Sequence, residues 1–169
     1  TLAFHIILVP LGVSWAFMTL IANYRALRHG DRDALVLAQR WSKYMAVTFA
    51  VGAVTGTVLS FEFGLLWPDF MATFGSVFGI AFGLEGISFF VEAIFIAIYV
   101  YGWDRLPPRA HLLAGIPIVV TGFLGSLMVI SVNAWMNTPD GFEYVNGQFT
   151  EPDIVDAVFN PSMPGEVLH

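Results

Sequence analysis

FGSVFGIAFGLEGISFFVEAIFIAIYVYGW, residues 74–103, decides the fold. As a helix this run is long enough to cross the ~30 Å hydrocarbon core of a bilayer. Its only ionisable side chains apart from tyrosine are Glu85 and Glu92. A carboxylate at the centre of a membrane helix costs about 2.5–3.5 kcal/mol even on a lenient insertion scale. A chain carries that cost where something polar, charged or protonic meets the side chain.

The rest of the chain agrees with a membrane setting. Its 169 residues are 57% hydrophobic and 12% charged, and the mean hydropathy is +0.73. Those values lie far above a soluble domain and define an integral membrane protein. There is no cysteine, which excludes disulfides and thiolate metal sites. The net charge of −6 hides a segregation of signs. Arg25, Arg28, Arg32, Arg40 and Lys43 flank one loop, and Arg105 and Arg109 lie in another. The stretch Glu62–Thr73 and the tail Asp140–Glu166 carry acids and no Lys or Arg.

Four apolar runs alternate with these loops, at about Leu2–Tyr24, Trp41–Phe61, Phe74–Trp103 and Leu112–Trp135. The fold class expected is all-α, a polytopic transmembrane helix bundle of four spans plus the start of a fifth. By the positive-inside rule the two basic loops lie in the cytoplasm. Thr1, the Glu62–Thr73 loop and the acidic tail then lie outside. Residues 1–135 are read as the transmembrane region. Residues 136–169 are read as an extracytoplasmic loop leading into the next span, with one short helix near Asp153–Phe159. The first run lacks a basic segment before it, so it reads as a membrane helix and not a signal peptide. The chain starts without Met and stops at His169, and is expected to be a piece of a longer protein.

Pro10 and Pro117 fall inside spans, where each can kink its helix. Gly75, Gly79 and Gly83, and likewise Gly52 and Gly56, recur at four-residue spacing. Close helix packing is the first expectation for such small residues. Room for a flat cofactor against bare backbone is the second.

Glu85 and Glu92 are seven residues apart, two helical turns, so they share a face about 10 Å apart along the axis. A file of carboxyls suits a proton path from the cytoplasm. The plainer alternative is a pair of protonated carboxyls hydrogen-bonded to neighbouring helices. His5, near the outer end of the first span, is either an interfacial histidine or an axial ligand for haem iron. His111 stands at the cytoplasmic mouth of the fourth span, where it is interfacial or a feeder of protons. Ser126, in the fourth span, can carry a water chain. His29 reads as solvated. By its residues alone His169 has no assigned role. Nothing resembles a nucleotide loop, a Ser–His–Asp set or a paired-histidine metal cage.

The motifs HIILVPLGV (5–13), VGAVTG (51–56), FEFG (61–64), FGIAFGLEG (78–86), FFVEAIF (89–95), YGWDRL (101–106), NAWM (133–136) and NPSMPGEVLH (160–169) together resemble subunit I of the cytochrome bd-type quinol oxidases. The resemblance runs over essentially the whole chain. It implies a respiratory terminal oxidase that oxidises quinol and reduces dioxygen to water. It implies three haems: a low-spin haem b, a high-spin haem b, and a haem d or a b-type substitute. Carried over to this sequence, His5 is an axial ligand of a high-spin haem, Glu85 lies at the high-spin pair, and His169 ligates the low-spin haem. Glu92 stands on the proton path, with His111 and Ser126 near it. The implied partners are subunit II, a small accessory subunit and membrane lipid, with quinol and dioxygen as substrates. No nucleic-acid partner is expected, and the implied location is a bacterial or archaeal cytoplasmic membrane. Two rival classes remain on the sequence: a proton-coupled transporter or channel subunit, and a haem-free companion subunit.

Overall fold

The computed structural model describes residues 1–146, 148–150 and 153–169. The chain is all-α apart from one small ribbon. The long helices are α1 (Leu2–His29), α2 (Arg32–Leu66), α3 (Pro68–Tyr101) and α4 (Pro108–Asn137). All four are long and apolar enough to cross a membrane. No more than 17% of the most apolar window of any of them is buried inside the chain. Their apolar side chains therefore face outward, as in Ile87, Phe90 and Phe61.

The helices are longer than the apolar runs. The shortest has 28 residues, about 42 Å at 1.5 Å per residue, against ~30 Å of hydrocarbon. Two expected loops shrink accordingly. The stretch Glu62–Thr73 is helical except at Trp67, where α2 hands over to α3. Pro68 makes this possible, because proline at a first helical position forfeits a donor that has no partner there anyway. The basic loop narrows to Gly30 and Asp31. Gly30 takes a left-handed conformation (φ 66°) and its N–H closes α1 on the Ala26 carbonyl. The Asp31 carboxylate then accepts from the Ala34 N–H at 3.0 Å and caps the start of α2. At the other end α3 stops at Tyr101, two residues before the expected Trp103, in a turn where the Leu106 N–H bonds the Gly102 carbonyl at 2.9 Å. Pro10 and Pro117 lie inside α1 and α4, which run on through them.

The helices contribute to two compact units, residues 1–62 with 89–123 and residues 63–88 with 124–169. In the first, α1 and α2 are antiparallel neighbours. The Thr1 hydroxyl donates to Glu62 Oε1 at 2.7 Å, and Trp15 packs its ring against Trp41 and Tyr44. Its core gathers Ala16, Met45, Ile96, Tyr99, Ala114 and Ile118.

The second unit is aromatic. Phe78, fully buried, meets Phe70, Phe82 and Trp135 edge-on. Such pairs add about 0.5–1.5 kcal/mol each beyond their area. Beyond α4 a two-stranded antiparallel ribbon pairs β1 (Tyr144–Val145) with β2 (Gln148–Phe149). Two short helices follow, α5 (Ile154–Val158), where one was expected, and α6 (Met163–Leu168), which was not. Polar bonds tie them to α4. The Ser131 hydroxyl donates to the Val158 carbonyl at 2.5 Å, and the Asn160 amide donates back to the Ser131 carbonyl at 3.1 Å.

Candidate functional site

His5 sits in the first turns of α1 against α2. Its Nδ1 lies 2.9 Å from the Thr55 hydroxyl oxygen. The Thr55 hydroxyl also reaches the carbonyls of Val51 and Gly52, both at 3.0 Å. The ring fits there because residue 56 is glycine, since a Cβ at Gly56 would come within 3.0 Å of His5 Cε1. Among the described residues, Nε2 takes no hydrogen bond. The remaining glycines of the four-residue pattern behave differently. A Cβ at Gly52, Gly75, Gly79 or Gly83 would meet nothing within 4 Å. Among the described residues they do not make the close helix contacts that their spacing predicts, and Gly79 and Gly83 are exposed.

Glu92 belongs to the first unit and lies against α4. A Cβ at Gly122 would fall 3.2 Å from Glu92 Oε1. Glu85 belongs to the second unit, where a Cβ at Gly125 would lie 3.9 Å from its Cγ. Both carboxyls are half-buried, and neither takes a hydrogen bond or an ion pair from the described residues. Ser126 follows Gly125 on α4.

His111 is built in the opposite way from His5. It is buried in the first unit, with its ring 4.2 Å from that of Tyr99 and 4.0 Å from that of Trp103. Its Nε2–H donates to the Tyr99 carbonyl at 2.8 Å. A carbonyl only accepts, so this nitrogen carries the proton and Nδ1 carries the lone pair. The Asn23 amide lies 3.1 Å from Nδ1 and donates to it, and donates also to the Tyr99 hydroxyl at 2.8 Å. The network joins α1, α3 and α4. Trp103 adds a bond from its indole N–H to the Ser42 hydroxyl of α2 at 3.2 Å.

His169 is exposed and follows α6 directly. Three residues before it, Glu166 accepts from the Asn133 amide at 2.7 Å and the Asn137 amide at 3.4 Å. The hydroxyls of Thr138 and Ser162 are also bonded. Among the described residues no three His, Asp or Glu converge as a metal cage. His5, Glu92 and His111 belong to the first unit, and Glu85, Ser126 and His169 to the second.

The sequence reading passed over Thr55, Asn23, Tyr99, Gly122 and Glu166. A threonine beside glycine in VGAVTG and an asparagine in the apolar run LIANY were the available signals.

Four membrane-length apolar helices, the third carrying two glutamates within its apolar run, define a multi-span membrane protein. The family model for cytochrome bd terminal oxidase subunit I matches residues 1–169, and the chain belongs to that family. It is 39% identical over 162 residues to a putative cytochrome bd menaquinol oxidase subunit I of Bacillus subtilis, covering 96% of this chain and 37% of that protein. It is 33% identical to a cytochrome bd ubiquinol oxidase subunit 1 of the same organism, covering all of this chain and 36% of the relative. The solved bd oxidase of Geobacillus thermodenitrificans superposes with a TM-score of 0.93 at 41% identity, over 98% of this chain and 39% of that one. The chain thus spans somewhat more than a third of the length of these relatives. The family implies haems, and the designation subunit I implies further subunits.

Proposed function

We propose that this chain is the part of a quinol:oxygen oxidoreductase that holds two haem irons and passes protons to one of them. The whole reaction consumes two quinols and one dioxygen and yields two quinones and two waters. His5 would hold the iron of a high-spin haem through its imidazole, and Glu85 would lie at the high-spin pair. His169 would hold the iron of the low-spin haem b. When bound, the haems supply the one-electron relay from quinol to dioxygen and the iron at which dioxygen is reduced. Glu92 and Ser126 carry protons inward from the cytoplasmic side. His111 serves that route by fixing α1, α3 and α4 around it, not by carrying the proton. Quinol is oxidised near the outer face and its protons leave there, so charge is separated without a pump. The low-spin b, high-spin b and d or b-type haems, subunit II and a small accessory subunit complete the assembly in a bacterial or archaeal cytoplasmic membrane. Thr1 and the acidic tail then face outward, residues 1–135 form the membrane part, and residues 136–169 lead into a fifth span.

The observation that carries this reading is the His5 imidazole, with one ring nitrogen engaged, the other without a partner among the described residues, and a glycine on the same α2, Gly52, where a Cβ would meet nothing within 4 Å. Those features fit an axial donor to a flat cofactor. Reduced-minus-oxidised spectra of membranes holding the full-length protein test it. Haem b bands are expected, together with a second high-spin signature. In the His169→Ala variant the low-spin b band should vanish while the high-spin signature stays. A colourless full-length protein overturns the reading, and an unchanged spectrum in His169→Ala removes that ligand assignment.

A further inference from the structure

We propose that Thr55 is the positioning residue for His5: its hydroxyl fixes the imidazole as the Nδ1–H tautomer and leaves the lone pair on Nε2. The inference rests on the reading of His5 as an iron ligand. A threonine hydroxyl has a single proton. Here that proton is directed at main-chain carbonyls of the preceding turn, Val51 and Gly52, each 3.0 Å away. Carbonyls cannot donate, so toward His5, 2.9 Å away, the Thr55 oxygen acts as an acceptor. Nδ1 must then bring the proton, and Nε2 is left with its lone pair. The order is carbonyl, hydroxyl, imidazole, with every donor pointing back into α2.

Sterics add a second constraint on the ring. The ring edge lies over Gly56, where a Cβ would sit 3.0 Å from Cε1 and 3.6 Å from Nε2. A side chain at position 56 would push the imidazole off the Thr55 hydroxyl. The TG pair of VGAVTG therefore does two jobs at adjacent positions, a hydroxyl that orients the ring and a missing side chain that admits it. A partner on the distal ring nitrogen also makes the ligand nitrogen a better donor, and losing such a partner typically costs about 10- to 100-fold in metal affinity.

The test uses the full-length oxidase and three variants, Thr55→Val, Thr55→Ser and His5→Ala. The readouts are the iron–histidine stretching band of the reduced high-spin haem and the haem content per complex, with the low-spin spectrum as the mark of a folded protein. Thr55→Val should lower the stretching frequency or lose the high-spin haem on dilution, with an affinity about 10- to 100-fold weaker. Thr55→Ser should restore both, since it keeps the hydroxyl. A band and content unchanged in Thr55→Val, while His5→Ala abolishes the band, overturns the role of Thr55 and leaves His5 as ligand. A band that survives His5→Ala overturns the ligand reading itself, and the proposal falls with it.

Discussion

His5 and His111 are two histidines of the same unit built to opposite specifications. His5 spends one ring nitrogen on a hydroxyl and keeps the other. His111 spends both, one on a carbonyl and one on an amide, between two aromatic rings. A nitrogen without a protein partner is available to iron. A ring with neither nitrogen available can neither ligate nor take up a proton without breaking a bond. On the proposed reading, the neighbours at hydrogen-bond distance, more than the residue type, separate a ligand histidine from one that ties helices together.

Removing the imidazoles should bring that contrast out most sharply. In the full-length oxidase His5→Ala should lower affinity for one high-spin haem by more than about 100-fold, beyond what losing an outer partner costs. Pyridine-haemochrome analysis should then find one haem fewer per complex. His111→Leu should leave the haem count unchanged. Equal haem loss in both variants would erase the distinction.

Glu92→Gln comes next. A positioned proton donor or acceptor contributes 10²-fold or more, so oxygen consumption should slow roughly 100-fold with the haem count intact. His111→Leu should not share this effect, and its turnover per haem should follow the parental pH profile. The sequence reading that puts His111 on the proton path gives the opposite result, a slowed enzyme with a shifted profile. Asn23→Leu separates the two, because it breaks the network without removing the imidazole. Each bond between membrane helices is worth about 0.6–2 kcal/mol. Both variants should therefore lose about 1–3 kcal/mol in detergent unfolding, by similar amounts. If His111→Leu is slow and Asn23→Leu is fast, the histidine carries protons.

Much of this was legible in the chain. Hydrocarbon imposes a run of apolar residues on any helix that crosses it, so the four spans were plain. Polar residues are costly in hydrocarbon, but they remain free to be helical in the interface, and that is why the Glu62–Thr73 stretch reads as a loop and is helix on both sides of Trp67. Glu85, Glu92 and His5 were visible because their cost is high. Thr55 was passed over, since a threonine that bonds to its own helix carries no penalty in hydrocarbon, and its place beside Gly56 is only a weak signal. Asn23 was visible as an amide in an apolar run, but its partners lie 76 and 88 positions away and only folding brings them to it. The α6 clamp of Glu166 on Asn133 and Asn137 was hidden for the same reason.

A third polar network calibrates the buried one, because it uses the same bonds in water. Asp31 caps α2 and pairs with Arg25 at 3.0 Å. The Ala34 N–H holds its carboxyl below the usual carboxylate value, desolvation opposes that, and the bond and charge of Arg25 add to it. The sign follows from linkage: a depressed folded-state pKa gives stability that is present above the unfolded value and lost as pH falls through the folded one. Asp31→Asn should thus lower Tm slightly at pH 7 and have no effect in strong acid, where both forms are uncharged. Salt should weaken the Arg25 share, because exposed charges are screened. This is the smallest change expected of the set. If Asp31→Asn cost as much as Asn23→Leu, burial would not be what gives the His111 network its weight. The contrast between the two histidines would then need another cause.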